Sequence, residues 1–67
     1  MTPTQILRWR TRLGMTQADA ASLIGVSGAG WRKWEAGTRE IPTPVERLLR
    51  LVETLPGARE ALERMES

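Results

Sequence analysis

The chain has 67 residues, ten basic and eight acidic, with three Trp, no Phe or Tyr, no Cys and no His. That length is room for one domain, read here as 1–67, and a domain so small buries only about 60% of the surface its unfolded chain exposes. Without thiols or imidazoles it cannot form a disulfide or a Cys/His metal cage, and it lacks the usual nucleophiles and bases. Neither an enzyme nor a metal or other cofactor is expected.

The charge is unevenly placed. Residues 1–39 carry six bases against two acids, a net +4, and residues 40–67 carry four bases against six acids, a net −2. A basic half beside an acidic half suggests a surface for a polyanion on one side only, against the plainer reading of a solvated mixture of ion pairs. No apolar run approaches the ~20 residues of a membrane span, and no signal-peptide pattern opens the chain. A cytoplasmic protein without membrane contact is expected.

In chain order the pattern is helical throughout. A first helix is expected from about Pro3 to Leu13, capped by Thr2 or Thr4, with Pro3 in its first turn and Gly14 ending it. Ile6, Trp9, Arg10 and Leu13 share one of its faces. A second helix starts at Thr16, a good N-cap, and has Asp19 near its positive end. It carries Ala20, Ala21 and Ile24 on one side and stops at Gly25. Ser27 can cap a third helix that runs through Trp31 and Trp34 to Ala36, before Gly37. Gly28 and Gly30 in its opening turns are poor helix formers, so packing must hold that end together.

After a polar linker from Thr38 to Pro42, the run Thr43-Pro44-Val45-Glu46 has the order of cap, first-position Pro and third-position Glu. That fourth helix continues through Leu48, Leu49, Leu51 and Val52 to about Thr54. Pro56 can open a fifth, where Leu55, Ala58, Leu62 and Met65 form a modest apolar stripe. Packing within the chain and contact with a second copy are both open uses for that stripe. The three Trp can form either a base-stacking surface or a core, and their places on apolar faces favour the core. The expected fold is all-α, four or five short helices in one compact unit.

Gly25-Val26-Ser27 joins two short helices by a tight glycine-containing turn, the form of a helix-turn-helix. Ala20 and Ala21 allow a partner helix to approach closely, and Gly25 accepts the positive φ of a sharp turn. The sequence from Gly14 through Met15-Thr16-Gln17-Ala18-Asp19-Ala20-Ala21, then Gly25-Val26-Ser27, Trp31 and Trp34-Glu35-Ala36-Gly37, resembles the phage Cro and C1 repressors and their Xre-type relatives. The resemblance covers about residues 5–53. It implies a lambda-repressor-like five-helix DNA-binding fold, with the helix-turn-helix at about 16–36. Independently of the resemblance, the helices of about 44–65 are the expected place for a dimer contact.

Residue by residue, the resemblance implies that Gln17 contacts phosphate and that Ser27, Gly28, Ala29, Arg32 and Lys33 lie on the exposed side of the recognition helix. It also implies a structural salt bridge between Arg10 and Glu35. The physics of helix termini and grooves agrees: free N–H groups at Thr16-Gln17 suit a phosphate, and Arg32 or Lys33 suits guanine O6 and N7. Arg39, just past the helix, suits phosphate. Where many relatives carry Gln, Asn or Lys early in the recognition helix, Gly28, Ala29 and Gly30 offer no side-chain hydrogen bond to a base. Base reading then falls to Ser27, Arg32 and Lys33, with Ala29 suited to a thymine methyl.

The function expected is that of a sequence-specific regulator binding double-stranded DNA, a homodimeric repressor at an inverted-repeat operator of a phage or mobile element. One recognition helix reads too few base pairs for a unique address, whereas a twofold dimer places two about 34 Å apart. No small-molecule ligand is expected. The alternative is an antitoxin-like protein-interaction module on the same scaffold.

Overall fold

A computed structural model describes residues 1–65. Among them are five helices and no strand: α1 (Pro3–Arg12), α2 (Gln17–Ile24), α3 (Gly28–Ala36), α4 (Thr43–Thr54) and α5 (Ala58–Arg64).

Local chemistry sets the first three helix starts. The Thr2 hydroxyl accepts from the Gln5 N–H at 3.1 Å while Gln5 Oε1 accepts from the Thr2 N–H at 2.8 Å. Thr16 and Asp19 repeat this reciprocal pair at 3.0 and 3.2 Å, and Ser27 Oγ accepts from the Gly30 N–H at 3.0 Å. Each pair satisfies helix-end donors that have no carbonyl within the helix. Between α2 and α3 the chain reverses at Gly25, which has φ 88°. A side chain there would be strained in the left-handed region.

The fourth helix begins one residue earlier than the Thr-Pro-Val-Glu pattern suggests. Thr43 lies inside it and Pro42 is the N-cap, with no side-chain cap bond. The Pro42 carbonyl already accepts from the Glu46 N–H at 3.0 Å. The Glu46 carboxylate is drawn away to the Met1 amino group and to Arg50. The fifth helix likewise starts at Ala58 rather than at Pro56, because Gly57 takes φ 86° and interrupts the helical path.

The core contains Ile6 and Trp9 of α1, Met15, Ala20, Ala21 and Leu23 of the α2 region, Trp31 and Trp34 of α3, Leu49 and Val52 of α4, and Ala58. Leu23 rather than Ile24 is the buried residue at the end of α2; Ile24 is half-buried. All three Trp are inside. Trp9 and Trp31 meet at 5.9 Å between ring centroids, and Trp31 meets Trp34 edge-on at 5.7 Å. Such tilted and edge-to-face contacts match positive ring edges with negative faces. The Trp9 Nε1–H donates to the Leu49 carbonyl at 2.8 Å and ties α1 to α4. Arg59 reaches from α5 to the Leu13 carbonyl at 3.1 Å, and Arg12 pairs with Glu53 at 2.6 Å. The frame thus closes around α3 and leaves one of that helix's faces uncovered.

Candidate nucleic-acid interface

The inner side of α3 is fixed by one carboxylate. Glu35 Oε2 accepts from Arg10 Nε at 2.7 Å, and Oε1 accepts from Arg10 Nη2 at 3.0 Å, a two-pronged pairing between α1 and α3. Gln17 Nε2 donates to Oε1 at 3.0 Å, and the Trp31 Nε1–H donates to Oε2. Arg10 also donates to the Met15 carbonyl at 3.1 Å. The Glu35 side chain is only 9% exposed and that of Arg10 15%. Burial by itself raises the Glu35 pKa. The hydrogen bonds from Arg10, Gln17 and Trp31, with the Arg10 charge, outweigh it and hold the carboxyl below its ordinary range. The same bond to Glu35 raises the Arg10 pKa against an opposing effect of burial.

The outer side of α3 has a different character. Ser27, Ala29, Arg32, Lys33 and Ala36 are exposed and Gly28 is half-buried. By helical spacing Ala29 and Ala36 lie two turns apart on one line, flanked by Arg32 and Lys33. Among the described residues Arg32, Lys33 and Arg39 form no salt bridge. In contrast Arg10, Arg12 and Arg50 are paired with carboxylates and Arg59 is bonded to a carbonyl. Arg8 and Arg47 are likewise exposed without a salt bridge, so what sets Arg32, Lys33 and Arg39 apart is that all three stand on or beside one helix.

Several residues singled out from the sequence have more than one engagement here. Ser27 Oγ is occupied as the acceptor of the α3 cap, so its hydroxyl proton is what it can offer outward. Gln17 is half-buried at the start of α2, and its amide turns inward to Glu35. Arg39 follows α3 in sequence, yet its Nη1 lies 4.0 Å from the place a Cβ on Gly30 would occupy. Its guanidinium is folded back beside the first turn of the helix. Of the apolar stripe expected for a second copy, Ala58 is buried in the core and Leu62 packs against it. These two serve the packing of α5. Leu55, 52% exposed, and Met65, 76% exposed, remain at the surface with Leu51, 48% exposed.

Sequence reasoning did not find the Trp31 bond to Glu35, the Arg59 anchor or the inward turn of Gln17. The i, i+4 spacing of Trp31 and Glu35 was the one local signal for any of them.

Residues 5–62 match the family of helix-turn-helix domains. The chain belongs to that family, within its Xre and Cro–C1-like group. No curated protein and no solved structure matches it. Membership joins the α2–turn–α3 unit to DNA binding, and α3 is the second helix of that unit. None of the helices formed by the described residues is long and apolar enough to cross a membrane.

Proposed function

We propose that this helix-turn-helix protein is a sequence-specific regulator of transcription, a homodimeric repressor that occupies an inverted-repeat operator through the major groove. The observation that carries the reading is the outer face of α3: a strip of small residues edged by Arg32, Lys33 and Arg39, none of them in a salt bridge. Arg32 and Lys33 suit guanine O6 and N7, and the Ala29 methyl suits that of thymine. The first-turn amides of Gln17 suit a phosphate, as does the Arg39 guanidinium. Binding of this kind releases counterions, so affinity falls steeply as salt rises.

The second copy is supported by the exposed leucines at the end of α4, Leu51 and Leu55, with Met65 beyond them. A mobile-element repressor that answers to its own concentration is the simplest regulatory setting for such a chain.

Selection from random duplex DNA, with salt titration of the winning site, tests the function. An inverted repeat bound with a steep salt slope is the expected outcome. Recovery of nothing better than random duplex removes the operator reading and favours a protein partner in its place. Hydrodynamic mass of the complex then tests the dimer: one chain per operator at saturation overturns it.

A further inference from the structure

Of the six glycines, Gly14, Gly25, Gly37 and Gly57 have positive φ, where a side chain would be strained. Gly28 and Gly30 do not. Both stand in the first turn of α3, where glycine is among the poorest helix formers, so something other than backbone conformation accounts for them. Gly30 has a reason within the fold, since a Cβ there would come within 3.1 Å of the capping Ser27 Oγ. Gly28 has none. What lies over it is Arg32 Nη1, 3.5 Å from the position of a Cβ.

Arg32 stands one turn beyond Gly28, and helical side chains lean toward the N-terminus. Its guanidinium therefore runs back over the bare turn and comes to rest at the positive end of the helix. Arg39 reaches the same turn from the other side, beside Gly30. Each guanidinium lies beside the positive end of the helix, with no salt bridge to either arginine among the described residues. A guanidinium so placed calls for an acceptor-rich partner.

We propose that Gly28 is a positioning residue for base recognition: its missing side chain seats the Arg32 guanidinium along α3 so that Arg32 meets a guanine edge. The proposal rests on the DNA-binding reading above and adds to it the residue that sets the geometry of recognition. Alanine at 28 makes ordinary contact with the guanidinium and leaves it in place. Leucine extends into the volume that the guanidinium occupies and drives it off the helix.

The test compares wild type, Gly28→Ala, Gly28→Leu, Arg32→Ala and Gly28→Leu/Arg32→Ala. Each is measured on the selected duplex, on that duplex with each base pair changed in turn, and on random duplex of equal length. Gly28→Ala should lose less discrimination than Gly28→Leu, since its Cβ makes only ordinary contact with the guanidinium. Gly28→Leu should lose discrimination at the same base pair as Arg32→Ala, by about tenfold to a hundredfold, and the double variant should lose no more than either single one. In the free protein, nuclear Overhauser contacts from the Arg32 side chain to Gly28 Hα should be present in wild type and absent in Gly28→Leu. Additive losses, an equal loss on all duplexes, or wild-type discrimination in Gly28→Leu would each overturn the proposal while leaving the DNA reading intact. A wild-type chain that binds every duplex alike removes that reading itself, and the proposal with it.

Discussion

The two faces of α3 contain the same kinds of group and use them in opposite ways. On the inner face Arg10, Gln17 and the Trp31 ring N–H converge on Glu35, and every charge meets a counter-charge or a donor. On the outer face Arg32 and Lys33 stand in solvent, with Arg39 beside the first turn. An arginine paired at short range is a structural part; an arginine left without a carboxylate is available to a ligand. Exposure and pairing, rather than charge, separate the two roles.

The sharpest way to break this contrast is to remove its inner anchor. Glu35→Ala strands Arg10 in a half-buried site and leaves Gln17 and Trp31 without their acceptor, for an expected loss of about 3 kcal/mol. For a domain of this size that lowers Tm by roughly 12–24 °C, readable by thermal melting. Titration gives the same bond a sign. A carboxyl held below its ordinary value of 4.5 contributes stability above that value and loses it as pH falls through the depressed one. Wild type should therefore soften on the acid side, and Glu35→Gln should show a flatter acid limb. Glu46, held low first by the Met1 amino group and then by Arg50, contributes to both profiles alike, so the difference between them reports Glu35.

The outer face should respond in the opposite currency. Arg32→Ala should leave stability within about 0.5 kcal/mol of wild type and cost about 1–3 kcal/mol of discrimination at one base pair. Lower stability with unchanged discrimination would place Arg32 among the structural cations. Arg39→Ala should weaken all duplexes alike and reduce the salt slope by about one, as expected for a phosphate contact.

Gln17 lies across the boundary between the faces, and its substitution sharpens the comparison. Gln17→Ala removes a hydrogen bond to the Glu35 carboxylate, and bonds to charged groups carry about 1.5–3 kcal/mol. It should also weaken specific and random DNA evenly if its side chain reaches a phosphate. A loss of stability with unchanged DNA affinity would assign that side chain wholly to the interior and leave phosphate binding to the backbone amides.

Much of this arrangement was legible in the chain before folding. The starts of α1, α2 and α3 follow from Thr2, Thr16 and Ser27, and the ends of α2 and α3 follow from Gly25 and Gly37, because caps act within one turn. The Trp residues could be assigned to the core from helical spacing. The Arg10–Glu35 pair came from family resemblance, since 25 residues separate its members and no local pattern joins them. Features set by approach in space were hidden for the same reason: Arg59 on the Leu13 carbonyl, Arg39 folded back to Gly30, and Ala58 inside the core. Pro42, not Thr43, is the cap of α4, and the Glu46 carboxylate is bonded to the Met1 amino group and to Arg50, which a four-residue motif cannot register.

The three Trp offer the finest test of the inner face, because their ring N–H groups differ in engagement. Trp9 donates to the Leu49 carbonyl and Trp31 to the Glu35 carboxylate, whereas the buried Trp34 Nε1–H has no partner among the described residues. Replacing any of them by Phe removes part of a ring and leaves a small void. At Trp31 the change also deprives a carboxylate of a donor, and bonds to charged groups carry about 1.5–3 kcal/mol. At Trp34 it removes a donor that folding has already stripped of water, which offsets the lost packing. Trp34→Phe should therefore cost less than about 1 kcal/mol, the smallest of the three, with Trp31→Phe the largest. Chemical denaturation of the three variants reads the order directly. If Trp34→Phe were instead as damaging as Trp31→Phe, packing alone would govern the inner face, and the hydrogen bonds to Glu35 would lose their place as what distinguishes it from the outer one.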